Sequence, residues 1–386
     1  MNDLIVFDTL LRGGTIVDPA ERVCKRADLG IIEPNIAGIV KTEDTSLNFK
    51  KCIDVSGMVI VPGLIDFHSH IFAGGMEIAI DPELLIPHGI VATVDAGSVG
   101  SPSFSYFRKK VMMKTPIITN AVINLSRIGL LVLDESEFMQ PGFINELELS
   151  RTVEVHRDVV LGIKIRFSKE QINNEDKALE ILQRAKKIAR KLNLRLFVHS
   201  TNPPIPFPQL LDNLDTGDVL IHMYHGRGFK LLNSRGEVWR EAWEARKRGV
   251  IFDCAHGMSH FNFKIARNAI EQGFLPDIIS SDMTLLGLTI PGFCELPTVM
   301  SKLMALSMKF EDVLLRCTKN PAKLMKNIVC GIQTGNPANL AVLRIKNTEV
   351  SFTDSEGQKM RGNKLIIPEM TFINGKLLYW RNKREQ

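Results

Sequence analysis

Two histidines that could bind one metal ion lie in the segment IDFHSHI. His68 and His70 are two residues apart at the end of a short apolar run, so on a β-strand their imidazoles point to the same side. Two imidazole nitrogens on one side can hold one cation. Such a pair also occurs on protein surfaces and in cores without binding a metal, so a metal site requires further ligands from other segments.

Further ligands of this kind lie at the ends of later apolar runs. The segment FVHS contains His199, and SSDM contains Asp282. The segment IHMYH offers His222 or His225, and we favour His222 because His225, three residues on, would face the other side of an extended strand. Imidazole and carboxylate groups are typical ligands of zinc and related divalent cations.

A lysine lies among apolar residues in the segment GIKIR. Burial of the Lys164 ammonium is costly, so a lysine in this position often has a shifted pKa or a chemical role. A snorkelling or salt-bridged lysine is the simpler alternative. Together, four histidines, this lysine and an aspartate predict a nitrogen and oxygen site for metal ions.

Eight short apolar runs, which begin near residues 61, 90, 116, 160, 194, 218, 250 and 277, alternate with amphipathic helical stretches. This alternation predicts parallel strands joined by helices, and eight of them predict a closed (β/α)8 TIM barrel of the α/β class. In such a barrel the carboxyl ends of all strands meet at one mouth. The dispersed ligands would therefore become neighbours there.

The two ends of the chain differ from its middle. Residues before about 60 and after about 338 contain short strand-like runs and turn glycines but little helical pattern. We therefore predict one small β-sandwich domain built from residues 1–60 plus 338–386, beside a barrel of residues 61–337.

Composition excludes several classes of protein. The chain is 45% hydrophobic and 24% charged, as in soluble globular proteins, and its net charge of +5 is spread too widely to predict nucleic-acid binding. No run of eighteen apolar residues or signal-like start predicts a membrane segment. The six cysteines show no C-x-x-C pair, which fits free thiols and a cytoplasmic location.

Taken together, these segments resemble the amidohydrolase superfamily, in its dihydroorotase-like and deacetylase-like branch. The resemblance spans nearly the whole chain and rests on VSGMVIVPGLIDFHSHI, GIKIR, the histidines that end strands five and six, FDCAHG and SSDM. It implies a hydrolase with two divalent cations, which we predict to be Zn²⁺. The implied ligands are His68, His70, Lys164, His199, His222 and Asp282.

The resemblance also implies how the ligands divide. His68, His70 and Asp282 would hold the more buried cation, and His199 and His222 the second. Carbon dioxide would convert Lys164 to a carbamate that bridges the two, which turns a poorly solvated cation into an anionic oxygen ligand.

The implied chemistry is hydrolysis of a linear N-acyl amide or a cyclic amide. Two cations lower the pKa of a shared water, so that a metal-bridging hydroxide attacks the carbonyl at neutral pH. Asp282 is the predicted general base, and simple ligation is its alternative role. HSHIF lacks the arginine that follows the histidine pair in true dihydroorotases, so a deacetylase-like substrate is favoured over dihydroorotate.

Other functions remain open at this point. The same site could hydrolyse an acyl ester, or serve a decarboxylase or isomerase, because a fold alone does not fix a function. A non-catalytic scaffold with this fold is disfavoured, since all six ligand positions are filled. We predict a small-molecule substrate as the partner. The resemblance to the family also implies a homo-oligomer.

Four residues are predicted to contact the substrate. Arg166 follows the lysine by two positions on the same strand and could bind an anionic group, although a salt bridge is an equal alternative. Tyr224 and Arg227 lie near the loop after strand six, and His256 follows strand seven in FDCAHG. His260, four residues later, is predicted to be structural.

Overall fold

The computed structural model of the chain describes residues 6–42, 47–131, 141–172 and 174–381. The predicted outer bounds of the small domain, at residues 1 and 386, therefore lie outside the described residues.

Strands dominate both ends of the described chain and alternate with helices in its middle. The strands are β1 (Val6–Arg12), β2 (Thr15–Asp18), β3 (Val23–Arg26), β4 (Asp28–Ile32), β5 (Asn35–Val40), β6 (Asn48–Asp54), β7 (Val59–Pro62), β8 (Leu64–Ser69), β9 (Ile90–Ala96), β10 (Ile118–Asn124), β11 (Val160–Arg166), β12 (Arg195–His199), β13 (Val219–Ile221), β14 (Ile251–Asp253), β15 (Leu340–Thr353), β16 (Lys359–Ile373) and β17 (Lys376–Trp380).

The helices are mostly short. They are α1 (Phe104–Phe107), α2 (Glu146–Val155), α3 (Glu175–Lys191), α4 (Phe207–Asp212), α5 (Arg240–Lys247), α6 (Phe263–Glu271), α7 (Leu285–Leu288), α8 (Leu296–Ala305), α9 (Phe310–Arg316) and α10 (Lys319–Ala322), with 3₁₀ turns at Pro82–His88, Ser101–Ser103 and Pro141–Phe143 and a π-helical turn at Arg108–Met112. Among these described helices, none is long and apolar enough to cross a membrane.

The middle of the chain forms a parallel sheet in which β8 to β14 pair in sequence order. Each strand is parallel to the next. All seven residues of β9 are buried, because side chains fill the barrel interior and helices cover its outer face. Burial on both faces explains why these strands read as continuous apolar runs rather than as alternating ones.

The predicted eighth strand closes the sheet without forming a continuous strand of its own. Isolated parallel bridges join Ile278 to Asp253 at the end of β14, and Met283 to Ser69 at the end of β8. Between the bridges, the amide of Ser281 donates to a side chain, Oδ1 of Asp66, at 2.9 Å. The predicted (β/α)8 barrel is confirmed, with an eighth segment whose backbone departs from regular pairing.

Both ends of the chain contribute to the separate β-sheet domain. One sheet has the order β5-β4-β1-β6, and a second has the order β17-β16-β15-β7-β2-β3. In the second sheet β15 pairs antiparallel with β7, which brings Leu340 opposite Pro62. Apolar residues of both ends, such as Leu11, Leu29 and Phe372, share one buried cluster. The exact domain bounds stay a prediction.

The carboxylate of Asp66 generates a test of barrel closure. It is fully buried, accepts from the amide and hydroxyl of Ser281, and its burial raises its pKa to about 7. Asp66→Ala leaves the Ser281 amide without its acceptor and is expected to lower the free energy of unfolding of the metal-free protein by about 1–3 kcal/mol. Urea denaturation measures this loss.

Asp66→Asn is the matched control, since its amide oxygen still accepts from the Ser281 amide. A smaller loss is therefore expected for this variant. Equal stability of Asp66→Ala and the unmodified protein would show that this contact does not hold the eighth segment.

Candidate metal centre

A cavity opens at the carboxyl ends of the barrel strands. All six predicted ligands line it: His68, His70, Lys164, His199, His222 and Asp282. They come from five separate segments, and the parallel barrel brings them together: five lie within two residues of the end of a barrel strand, and Asp282 lies on the eighth segment that closes the barrel.

Asp282 joins the first pair of histidines. Its Oδ1 lies 3.3 Å from Nε2 of His68 and 3.2 Å from Nε2 of His70. On the far side of the second ring, Nδ1 of His70 contacts the hydroxyl of Ser98 at 2.8 Å. This outer contact fixes the ring and leaves Nε2 directed at the carboxylate.

The second pair of histidines is equally close. Nδ1 of His199 and Nε2 of His222 are 3.0 Å apart, and Nδ1 of His222 donates to the carbonyl oxygen of Ala255 at 2.7 Å. Because that bond requires a proton on Nδ1, the lone pair of His222 is on Nε2. This tautomer presents Nε2 as a ligand atom.

Two of the ligand positions have a left-handed backbone, with φ of +64° at His222 and +53° at Asp282. Such conformations are unfavourable for residues other than glycine and persist where the surrounding structure enforces them. At Asp282 the amide donates to the carbonyl oxygen of His68 at 2.8 Å, which anchors the irregular eighth segment to the first strand.

His260 belongs to this site, so its prediction as a structural residue is wrong. Its ring centroid lies 4.0 Å from that of His222, and its Nε2 lies 3.7 Å from Oδ2 of Asp282. Nδ1 contacts the hydroxyl of Thr201 at 2.9 Å. His260 lies in the loop after β14, and no strand-end signal in the sequence could place it.

Lys164 lies in the cavity wall on β11 and is 2% exposed. Its side chain passes directly over Gly97, where an added Cβ would lie 2.7 Å from Cβ of Lys164. Gly97 also has a φ of +87°, which favours glycine. A glycine at this position therefore makes the room that the lysine side chain occupies.

The charges in the cavity suit a cation. Burial, with the charges of His260 and Lys164, holds the pKa of His199 well below its ordinary value, and burial likewise lowers that of His222. Burial by itself would raise the pKa of Asp282, but His68 and His70 outweigh it and hold that pKa well below the ordinary value. The neutral imidazoles of His199 and His222 and the ionised carboxylate of Asp282 are the forms in which these groups bind a divalent cation.

The ligand atoms fit one or more bound metal ions. Nε2 of His68 is buried and makes no hydrogen bond with the described groups, despite its approach to Asp282. Two sets of three ligand atoms lie within 4.8 Å of one another: His199, His222 and His260, and His68, His222 and Asp282. A buried nitrogen without a partner inside such a set is the expected mark of a ligand whose metal completes it.

The predicted substrate contacts separate into three groups. Arg166 lines the cavity. Arg227 lies outside the lining, half exposed, with Nη2 2.7 Å from Oε1 of Glu170. Tyr224 is fully buried and donates to the carbonyl oxygen of Phe274 at 3.1 Å, so its prediction as a substrate contact is wrong.

His256 is also wrong as a substrate contact. It is fully buried, its ring stacks on that of Phe261 at 4.4 Å, and Nε2 lies 2.9 Å from Nζ of Lys302. The sequence placed it correctly after strand seven but could not show that the loop turns its ring inward. His225 is likewise buried, and burial lowers its pKa to about 3.

Comparison with known proteins finds similar chains that are named as hydrolases and deaminases. The chain is 30% identical over 331 residues to a deacetylase of Brucella anthropi, which covers 84% of this chain and 81% of the relative. It is 27% identical over 379 residues to a deacetylase of Enterococcus faecalis, with 96% and 99% covered. No family model matches the chain.

Two solved structures are similar to this chain over nearly the whole length of both proteins. A crystal structure of a dihydroorotase has a TM-score of 0.85 at 27% identity and covers 96% of this chain and 98% of its own. A crystal structure of an adenine deaminase also has a TM-score of 0.85, at 26% identity, with 97% and 100% covered.

The contact between Gly97 and Lys164 generates a test of the site. Gly97→Ala places a methyl group where the lysine side chain lies, so the side chain must shift. We expect metal affinity to fall by roughly 10- to 100-fold, as for other substitutions of residues that support a metal ligand without binding the metal themselves. Competition with a fluorescent chelator measures the affinity.

Gly57→Ala is the matched control. Gly57 also has a positive φ, of +74°, but apart from its two chain neighbours no described residue has an atom within 4 Å of an added Cβ. This variant carries the backbone strain without the clash and should keep its metal affinity. An unchanged affinity in Gly97→Ala would show that the position of Lys164 does not matter for metal binding.

Proposed function

The chain belongs to the dihydroorotase-like and deacetylase-like branch of the amidohydrolase superfamily, and from that premise we propose that it removes an acyl group from a linear N-acyl amide. It is a metal-dependent hydrolase that acts on carbon–nitrogen bonds. The observation that carries the narrower proposal is a cavity with a full set of ligand groups in a chain whose deacetylase relatives match it over more than four fifths of its length.

We propose two Zn²⁺ ions as the cofactors. His68, His70 and Asp282 would hold one ion, and His199 and His222 the other. Lys164 would bridge them as a carbamate, for which its position in the cavity wall among these groups is the support. When bound, such ions supply an ionised water as the nucleophile and polarise the acyl oxygen.

Asp282 is the residue that we assign to proton transfer. Its Oδ1 lies against His68 and His70, whereas Oδ2 lies 3.7 Å from Nε2 of His260. The carboxylate can therefore accept the proton of the attacking water on one oxygen and deliver it to the leaving nitrogen. His260 is placed to orient that oxygen.

The rest of the cavity wall indicates the kind of substrate. Met76, Ile78 and Leu286 make one part of the wall apolar, and Arg166 adds a cation to it. We propose an acylated small molecule with an apolar group and an anionic group, because an arginine fork pairs well with a carboxylate. An acyl ester remains the second candidate, since the same nucleophile attacks both.

We also propose that the protein works in the cytoplasm. The support is that all six cysteines are free, as in proteins of a reducing compartment. The homo-oligomer and the small-molecule partner stay predictions.

The proposed function is tested with zinc-loaded protein and paired substrates. We expect two equivalents of zinc by elemental analysis and hydrolysis of N-acetyl amino acids, followed as free amine. The ester analogues and cyclic amides are assayed in parallel. Turnover of esters alone would replace the amide proposal with the ester one, and no turnover of any acyl compound by the zinc-loaded protein would contradict both.

The role of Asp282 is tested by Asp282→Asn. The amide keeps an oxygen for the metal but cannot accept a proton, so we expect metal content to stay near normal while kcat falls by roughly 10²- to 10⁴-fold. Elemental analysis and steady-state kinetics measure the two effects.

Asp158→Asn is the matched control, because Asp158 lies before β11 at the opposite end of the barrel and is 53% exposed. It should lose only a surface ion pair, with little effect on kcat. Near-normal turnover in Asp282→Asn would remove Asp282 from the proton-transfer role.

A further inference from the structure

A charged side chain is buried next to the loop that follows β14. Lys302, on α8, is fully buried, although ammonium groups are rarely enclosed without strong compensation. Its Nζ has three acceptors: Nε2 of His256 at 2.9 Å, the carbonyl oxygen of Phe293 at 2.6 Å and the carbonyl oxygen of Thr353 at 2.7 Å. The geometry is that of an ammonium with all three protons used.

The contact with His256 connects Lys302 to the loop that follows β14. An ammonium only donates, so Nε2 of His256 must accept and its Nδ1 must carry the proton. Nδ1 then donates to the carbonyl oxygen of Gly257 at 2.8 Å. Burial lowers the pKa of Lys302 to about 8, which still leaves it protonated at pH 7. Lys302 therefore sets the tautomer and the orientation of His256.

The loop that this network holds lies against the metal centre. Gly257 has a φ of +53°, and an added Cβ would clash with Oδ2 of Asp282. The amide of Gly257 donates to the carbonyl oxygen of Ser281 at 2.9 Å, directly before that aspartate. His260 is three residues further along the same loop. A shift of the loop would therefore move Gly257 and His260, the two residues that lie near Oδ2 of Asp282.

The small β-sheet domain holds the other end of the loop. Residues 354–358 form the turn between β15 and β16, which we call the hairpin tip. The amide of Phe263 donates to Oδ2 of Asp354 at 3.0 Å, and the amide of Phe261 donates to the hydroxyl of Ser355 at 3.0 Å. The amide of Ser355 in turn donates to the carbonyl oxygen of Phe261 at 2.9 Å.

We propose that Lys302 is a positioning residue that, together with the hairpin tip, fixes the loop of residues 254–262 against Asp282. Lys302 contacts β15 of the small domain and His256 of the loop at once, so it ties the two to the barrel. The small domain thereby takes part in forming the catalytic cavity, although it supplies none of the predicted ligands. The activity part of this inference rests on the proposed function, whereas the structural part does not.

Lys302→Met tests the inference, since methionine fills a similar volume without donors. Hydrogen exchange of the backbone amides at residues 256–263 is measured on the folded, zinc-loaded protein. We expect exchange there to be faster by roughly tenfold or more. We also expect kcat to fall by roughly 10- to 100-fold with KM nearly unchanged, because a misplaced base slows the chemical step.

Lys326→Met is the matched control. Nζ of Lys326 also donates to a backbone carbonyl, that of Val160 at 2.8 Å, but at the first residue of β11 and so at the opposite end of the barrel. Neither exchange at residues 256–263 nor kcat should change in this variant. A general loss of stability in Lys302→Met would instead raise exchange throughout the barrel, and that result would overturn the proposal.

Ser355→Ala removes a contact between the hairpin tip and the loop. It tests whether these contacts position the loop if Lys302→Met does not fold. Loss of the hydroxyl that accepts from Phe261 should speed exchange at residues 261–263 and lower kcat in the same direction. Unchanged exchange in a folded variant overturns the proposal. If the unmodified protein hydrolyses no acyl compound, the proposed function fails, and the exchange measurement still tests the loop contact alone.

Discussion

The barrel closes and the cation site forms at the same residue. The amide of Asp282 bonds to the first strand through the carbonyl oxygen of His68 at 2.8 Å, and its carboxylate lies against the two histidines of that strand. The eighth segment cannot then form regular pairs, because its backbone adopts a left-handed conformation at this point. Closure of the fold and placement of the ligands are therefore one constraint.

The enclosed charges explain why this constraint holds. The cavity wall contains several imidazoles, a lysine and a carboxylate, all of which are solvated in the unfolded chain. Burying them without partners would cost free energy of folding. The depressed pKa values of His199 and His222 keep those rings neutral, and the depressed pKa of Asp282 keeps that group ionised. A bound divalent cation would stabilise the same charge states, so folding and metal binding favour one arrangement.

The small β-sheet domain is connected to this site by backbone contacts rather than by ligands. The hairpin between β15 and β16 reaches the loop after β14, and α8 packs beside it, with the amide of Ile366 donating to the hydroxyl of Ser301 at 2.9 Å. Since the loop carries His260, these contacts connect the domain formed by both chain ends to the barrel mouth. Loops at a barrel mouth carry specificity, and their supports are part of the site.

The sequence alone was sufficient for the parts that depend on local pattern. Apolar runs of strand length, alternating with helices, indicated the barrel, and histidines at or just after the ends of those runs indicated His68, His70, His199 and His222. The alternation of a strand gives the direction of His68 and His199, whereas His222 lies just beyond β13 with a left-handed backbone that the sequence did not indicate. The eighth run was predicted as a strand, but the side-chain bond from Asp66 and the left-handed backbone at Asp282 interrupt it. Only the tertiary structure decided the loop residues, where no periodicity constrains direction. In the structure, the side chains of His256 and Tyr224 lie in the core, His260 lies at the metal centre, and Lys302 lies between the two domains. These positions depend on contacts between segments that are far apart in the chain.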